Sequence, residues 1–134
     1  MKYDLHSHTT ASDGTLTPAE LVKKASALKI EHLAITDHDN VNGVQEALQA
    51  GQEDGVNIIP GVEISVEFQS GTMHVCGYFV DVNNDVLNEK LAFVQQARRD
   101  RNPKIIEKLN KQGIDITLQE VQEVAGSDQV GRPN

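Results

Sequence analysis

The chain has 134 residues, 38% of them apolar and 24% charged, the balance of one ordinary folded domain rather than of a tail or linker. No stretch reaches the roughly 18 uninterrupted apolar residues of a membrane span, and Lys2, Asp4 and His6 follow the initial Met without an apolar signal region, so a cytoplasmic protein is expected. A formal net charge of −8 speaks against an extended nucleic-acid surface, yet is compatible with a phosphorylated substrate held through metal ions in an acidic, histidine-rich site.

Tyr3-Asp4-Leu5-His6 reads as a short strand, followed by a polar loop from Ser7 to Leu16 in which Ser12-Asp13-Gly14 is a turn signature. Thr17-Pro18-Ala19-Glu20 opens a helix: Thr17 caps, Pro18 suits the first helical position, and Glu20 completes a capping box. Leu21, Val22, Ala25 and Leu28 form its apolar face. His32 to Thr36 is a second short strand ending in the polar cluster Asp37-His38-Asp39-Asn40, and a second helical pattern runs from Val44 to Asp54. Asn57 to Glu63 supplies a third strand, and this alternation predicts parallel strands with crossover helices. Val66 to Phe68 and Met73 to Val80 read as a hairpin around Gln69-Ser70-Gly71-Thr72. Beyond Asp81, Leu87, Leu91, Val94, Ala97, Ile105 and Leu109 mark one or two helices, with Pro103 a start or kink and Gly113 the end. Thr117-Leu118-Gln119-Glu120 is a second capping box before a short helix, and a polar tail runs from Gly126 to Asn134. Cys76, the single cysteine, lies in an apolar run and reads as a small buried thiol.

The residues that carry chemistry sit at strand ends. His6 and His8 close the first strand, His38 lies just past the second, and Glu63 ends the third. In a parallel α/β arrangement the C-terminal strand ends share one face, where active sites are built. Singly, each residue has an ordinary structural role open to it, and Asp13 before Gly14 is a turn residue. Three consecutive strands each bringing a metal-type donor to one rim is a different matter. His6 and His8, two apart in extended chain, point the same way while Ser7 faces the other, so both imidazoles can grip one ion. Asp13 can reach a neighbouring ion, and Glu63 can bridge two. Mixed imidazole and carboxylate donors suit Zn, Mn or Fe, and two such ions about 3.5–4 Å apart generate a hydroxide nucleophile and neutralise phosphate oxygens. His32 enters its strand at the opposite end and is left with a structural role, and His74 remains open between the two.

His6-Ser7-His8, Asp13-Gly14, Thr36-Asp37-His38-Asp39, Gly61-Val62-Glu63-Ile64-Ser65 and His74-Val75-Cys76-Gly77-Tyr78, in this order through about residue 81, resemble the first motifs of the polymerase-and-histidinol-phosphatase (PHP) superfamily, in its nucleotide phosphoesterase branch. The resemblance implies an α/β fold, the N-terminal part of a distorted seven-stranded (β/α) barrel over residues 1–81, with a three-metal site. It implies that His6 and His8 bind the first cation, Asp13 and His38 the second, that Glu63 bridges, and that His74 binds the third. Residues 82–134 resemble the start of the small helical insertion of that branch, with six Lys or Arg against Asp100 and Glu107 between Arg98 and Lys111. Arg98 and Arg101 share a helix face. Arg101 and Arg132 are read as clamps on a second substrate phosphate, and Asp37 and Asp39 as supports behind the donors or contacts to substrate. The pattern departs at Asn134, where the family has His, and the family's further His and later Asp-x-His would lie beyond it.

The implied function is a metal-dependent phosphoesterase acting on nucleotides through metal-activated hydroxide, either on a 3′,5′-nucleoside bisphosphate or on a short nucleic-acid end in the 5′-to-3′ direction. Two or three divalent cations (Mn, Fe or Zn) are its cofactors, and activity is expected of the whole enzyme and not assumed for these 134 residues alone. The alternatives are a histidinol-phosphate-type phosphatase of a small metabolite and a non-catalytic metal-binding module.

Overall fold

The computed structural model describes residues 1–69, 71–125 and 130. Its elements run β1 (Tyr3–Asp4), α1 (Pro18–Ala27), β2 (His32–Ile35), α2 (Val44–Asp54), β3 (Asn57–Phe68), β4 (Gly71–Tyr78), α3 (Asp85–Lys111) and α4 (Leu118–Ala125). Helix α1 begins as its sequence predicts, with the Thr17 hydroxyl accepting from the Glu20 amide at 3.2 Å and the Glu20 carboxylate accepting from the Thr17 amide at 2.9 Å. The same reciprocal pair recurs between Thr117 and Glu120 at the start of α4. Helix α2 ends at Gly55, which takes the left-handed conformation (φ 71°) that favours glycine.

The four strands form one sheet in the order β1-β2-β3-β4. β1 and β3 flank β2 in parallel, and β4 pairs antiparallel with β3. The apolar core lies between this sheet and α1, α2 and the first part of α3, with Val22, Leu33, Ile35, Val44, Ala47, Ile58, Val62 and Leu91 all buried. A Cβ added at Gly51 would come within 2.5 Å of Ile58 Cγ1, so the missing side chain is what lets α2 lie close against β3.

Two elements differ from the sequence reading, and a third resolves one that it left open. β1 pairs over two residues instead of four, and after Asp4 bonds through side chains join the backbone bond from the Thr36 amide to the Ser7 carbonyl. There the Thr36 hydroxyl accepts from the Ser7 amide and donates to the Ser7 carbonyl, and the Ser7 hydroxyl donates to the Ala34 carbonyl at 2.6 Å. The third strand and the first arm of the hairpin are one continuous strand, β3, paired with β2 over Asn57–Pro60 and with β4 over Gly61–Phe68. Helix α3 runs through Pro103 without ending, although proline removes one helical hydrogen bond, and its neighbour Asn102 is buried with its amide donating to the Val130 carbonyl. No helix among the described residues is long and apolar enough to cross a membrane.

Candidate metal centre

The C-terminal rim of the parallel strands is held together by backbone bonds that continue past the strands themselves. The Glu63 amide donates to the Asp37 carbonyl at 3.1 Å and the Asp39 amide to the Glu63 carbonyl at 2.9 Å, which sets His38 directly beside Glu63. On the other side the Thr36 amide donates to the Ser7 carbonyl at 3.0 Å, so the chain bearing His6 and His8 runs alongside the same rim. β4 returns along β3 with Cys76 opposite Glu63 and His74 opposite Ser65. Finally, the Tyr78 hydroxyl donates to the Leu5 carbonyl at 2.9 Å, drawing the outer strand β4 across to the end of β1.

At the centre is the buried carboxylate of Glu63. Its Oε2 lies 2.9 Å from His6 Nε2, 3.1 Å from His8 Nε2 and 3.4 Å from His38 Nδ1, and its Oε1 lies 3.0 Å from His74 Nδ1. Asp13 completes the group, with Oδ1 3.6 Å from His8 Nδ1 and Oδ2 3.5 Å from His38 Nε2. All six residues singled out for metal binding in the sequence are thereby brought to one place. Four imidazoles around one carboxylate exceed what a hydrogen-bonded core needs, and His38 Nδ1 is buried with no hydrogen-bond partner among the described residues. An orphaned buried nitrogen costs about 1–3 kcal/mol, a penalty that donation of its lone pair to a cation removes. Donors about 2.1 Å from a tetrahedral ion lie roughly 3.4 Å from one another, close to the separations seen here. Among the described residues two triads have donor atoms within 4.8 Å of one another, His8-His38-Glu63 and His6-Glu63-Cys76, and Glu63 belongs to both. The donor set therefore fits divalent cations.

The electrostatics favour a neutral His38 imidazole and an ionised Glu63 carboxylate. Burial pushes the His38 imidazole down, against the upward pull of Asp13 and Glu63, and the outcome is a value below the ordinary one. For Glu63 burial pulls upward, but the hydrogen bond from His6 and the charges of His38, His6 and His8 outweigh it and hold the carboxyl below its usual range.

The family model of the PHP domain matches residues 4–129. The chain belongs to the PHP family. It is 40% identical over 132 residues to the 5′-3′ exoribonuclease Rnm of Escherichia coli, covering 97% of this chain and 45% of that protein. To the 3′,5′-nucleoside bisphosphate phosphatase of Chromobacterium violaceum it is 36% identical over 111 residues, 83% of this chain and 39% of that one. A solved structure from Chromobacterium violaceum, described as an amidohydrolase with bound sulfate and no metal, superposes with a TM-score of 0.90 at 30% identity over 98% of this chain and 47% of its own. A Bifidobacterium adolescentis structure described as a candidate metal-dependent phosphoesterase gives 0.89 at 32% identity, again over 98% of this chain and 47% of its own. The chain thus spans about half the length of the PHP proteins it matches.

Around the PHP cluster the remaining candidates fall into distinct positions. Asp37 is buried and accepts from the Thr9 amide and hydroxyl, both at 2.7 Å, and from the Ser12 hydroxyl at 2.6 Å, which orders the loop that carries Asp13. Asp39, also buried and left-handed (φ 52°), accepts from the Ser65 amide at 2.8 Å and from Arg98 Nε at 2.6 Å. Arg98 also donates to the Ser65 hydroxyl at 2.5 Å, so this arginine fastens α3 to the rim. That pairing of residues 59 apart was missed in the sequence reading, where Arg98 stood only as a neighbour of Arg101. Arg101 is exposed, donates to the Asn102 side chain at 3.4 Å, and lines with Arg98, Ser65 and Phe68 a cleft of about 490 Å³ between the hairpin and α3. Arg132 and Asn134 lie outside the described residues. His32 is far from the cluster, accepting from the Asn57 side-chain amide at 2.8 Å. Cys76 needs correction: it is half-buried and stands with His6 and Glu63 at the rim instead of in the apolar core. Burial, with the charge of Glu63, raises its thiol above the ordinary value. The signal available was period-two alternation, which puts Cys76 on the face of β4 that also carries His74.

Proposed function

We propose that this chain provides the principal metal-holding part of a phosphoesterase that hydrolyses nucleotide phosphate esters, a 3′,5′-nucleoside bisphosphate or the 5′ end of a short oligonucleotide. The observation that carries the reading is the Glu63 carboxylate at the strand-end rim, surrounded by His6, His8, His38 and His74 with Asp13 alongside. Names borne by PHP relatives, an exoribonuclease and a bisphosphate phosphatase, support the substrate class.

In this reading His6 and His8 hold one cation, Asp13 and His38 a second, His74 a third, and Glu63 bridges. Zn, Mn or Fe suits such donors. When bound, the cations acidify water and neutralise phosphate oxygens. The chain's own residues do the positioning. Asp37 keeps the Asp13 loop in place, the Asp39–Arg98 pair holds α3 over the rim, and Arg101 faces the cleft as a contact for a second phosphate. A cleft of about 490 Å³ falls within the 300–1,000 Å³ span of small-molecule sites and has room for a nucleotide. Residues 1–81 would be the first part of a seven-stranded barrel and 82–134 the start of a helical insertion, with Arg132 a further phosphate contact. The remaining strands, one further His and an Asp-x-His would come from sequence beyond these residues.

The test is hydrolysis by the full-length enzyme with added Mn²⁺ or Zn²⁺, followed as phosphate release from adenosine 3′,5′-bisphosphate, as mononucleotide release from a 5′-phosphorylated oligonucleotide and as phosphate release from histidinol phosphate. Turnover of either of the first two in preference to the third is expected. Preference for histidinol phosphate would overturn the substrate class, and no metal-dependent release from any would overturn the reading altogether.

A further inference from the structure

We propose that Cys76 is a sulfur donor to a cation held jointly with His6 and Glu63, so that this position of the centre favours a thiophilic ion. The proposal rests on reading the rim cluster as a metal centre and adds to it a donor of a different chemical kind.

The geometry comes from β3 and β4. Cys76 and Glu63 are direct partners across the antiparallel pair, so their side chains leave the sheet on the same face. His6 arrives independently from the end of β1, with Nε2 already 2.9 Å from Glu63 Oε2. Sulfur, imidazole nitrogen and carboxylate oxygen then lie within 4.8 Å of one another. The other triad, His8-His38-Glu63, shares the same carboxylate, so Cys76 stands at the edge of one continuous donor group.

A thiol used merely as a small apolar filler would sit among apolar side chains. Cys76 does not belong to the core cluster, and its companions are Glu63, His6 and Tyr78. As the chain's single cysteine it has no internal disulfide to form. Three protein donors of types S, N and O with the fourth position open is the pattern of a catalytic zinc site. Thiolate ligation favours Zn²⁺ over Mg²⁺ or Mn²⁺, which prefer oxygen. On binding, the thiol proton passes to solvent and the sulfur coordinates as thiolate.

The test uses the whole chain, stripped with chelator and reloaded with Co²⁺. Because Cys76 is the only sulfhydryl, a sulfur-to-cobalt charge-transfer band in the near ultraviolet can come from nowhere else. The band is expected in the wild type and lost in Cys76→Ser, while visible cobalt absorption persists in both. A parallel measurement needs no variant: Zn²⁺ should protect Cys76 from Ellman's reagent in the folded wild-type chain. Cobalt bound without a sulfur band, or a thiol that reacts equally fast with and without Zn²⁺, would overturn the assignment and leave the histidine–carboxylate centre standing. Failure of the wild type to retain any cobalt would overturn both.

Discussion

Replacing Arg98 with methionine keeps the aliphatic stem of the side chain and removes its charge. Asp39 is fully buried, and among the described residues its carboxylate has two donors, the Ser65 amide and Arg98, so the substitution leaves it with one of them. Breaking a buried pair in this way costs about 3–5 kcal/mol. The Arg98 side chain keeps 16% of its surface in water, which favours the lower end, about 3 kcal/mol. With a urea m-value of about 2 kcal/mol/M, the unfolding midpoint should fall by roughly 1.5 M. Asp39→Asn is the informative partner, because asparagine tolerates the left-handed φ of 52° and carries no charge to strand. The double variant should therefore be less destabilised than the sum of the two singles by about 2 kcal/mol. Urea titrations followed by circular dichroism measure all four proteins. A loss below about 0.5 kcal/mol for Arg98→Met, the scale of an ordinary surface substitution, or strictly additive costs, would refute the idea that this pair anchors α3 to the rim.

Glu63→Gln preserves shape but removes the anion shared by both triads, so cation affinity measured by calorimetry should fall by at least about 10–100-fold with little change in folding; unchanged affinity would remove Glu63 from the centre. Asp37→Ala deletes three hydrogen bonds accepted by a buried carboxylate, which at about 1 kcal/mol each predicts a loss of about 3 kcal/mol in thermal unfolding, accompanied by weaker metal binding as the Asp13 loop loosens. The metal-free chain should lose stability in acid. The His38 value in the folded chain is lowered by burial, so the unfolded chain takes up the proton first, and stability that is complete above the ordinary 6.5 declines as pH falls from there through the folded value. Urea midpoints at neutral and mildly acidic pH check this, and His38→Gln should flatten that part of the profile.

What could be read from the sequence was whatever depends on local pattern. The Thr17–Glu20 and Thr117–Glu120 boxes announce helix starts because both partners lie within one turn, and both form as drawn. His6, His8, His38 and Glu63 could be assigned to one rim because strand ends in a parallel arrangement share a face, and the backbone bonds among Ser7, Thr36, Asp37 and Glu63 bear that out. What depends on long-range packing was not legible. No local signal pairs Arg98 with Asp39, and at Cys76 the apolar composition of the strand outweighed the alternation that sets it on the same face as His74. Pro103 carries a local penalty that left one helix or two open, and α3 continues through it as one, packed against α4 and tied through Asn102.

The continuity of β3 explains why so many donors converge. Had the third strand stopped at Glu63, as its sequence suggests, the rim would carry only what the parallel strands and their loops deliver. Instead the strand changes partner at Gly61, leaving β2 and continuing with β4. A Cβ at Gly61 would stand 2.8 Å from the Ile35 carbonyl and 3.0 Å from that of Gly77, so the handover takes place where backbones approach too closely for any side chain. From that point the hairpin rises beyond the parallel sheet and folds β4 back along it, returning His74 and Cys76 to the same carboxylate that β3 has just presented. Gly61→Ala should therefore affect the centre as well as the fold. Forced apart at the handover, β3 would shift the hairpin away from His6 and His8, and cation affinity should drop in protein that is still folded. Retention of full affinity in a folded Gly61→Ala chain would show that the hairpin's register does not set the donor geometry.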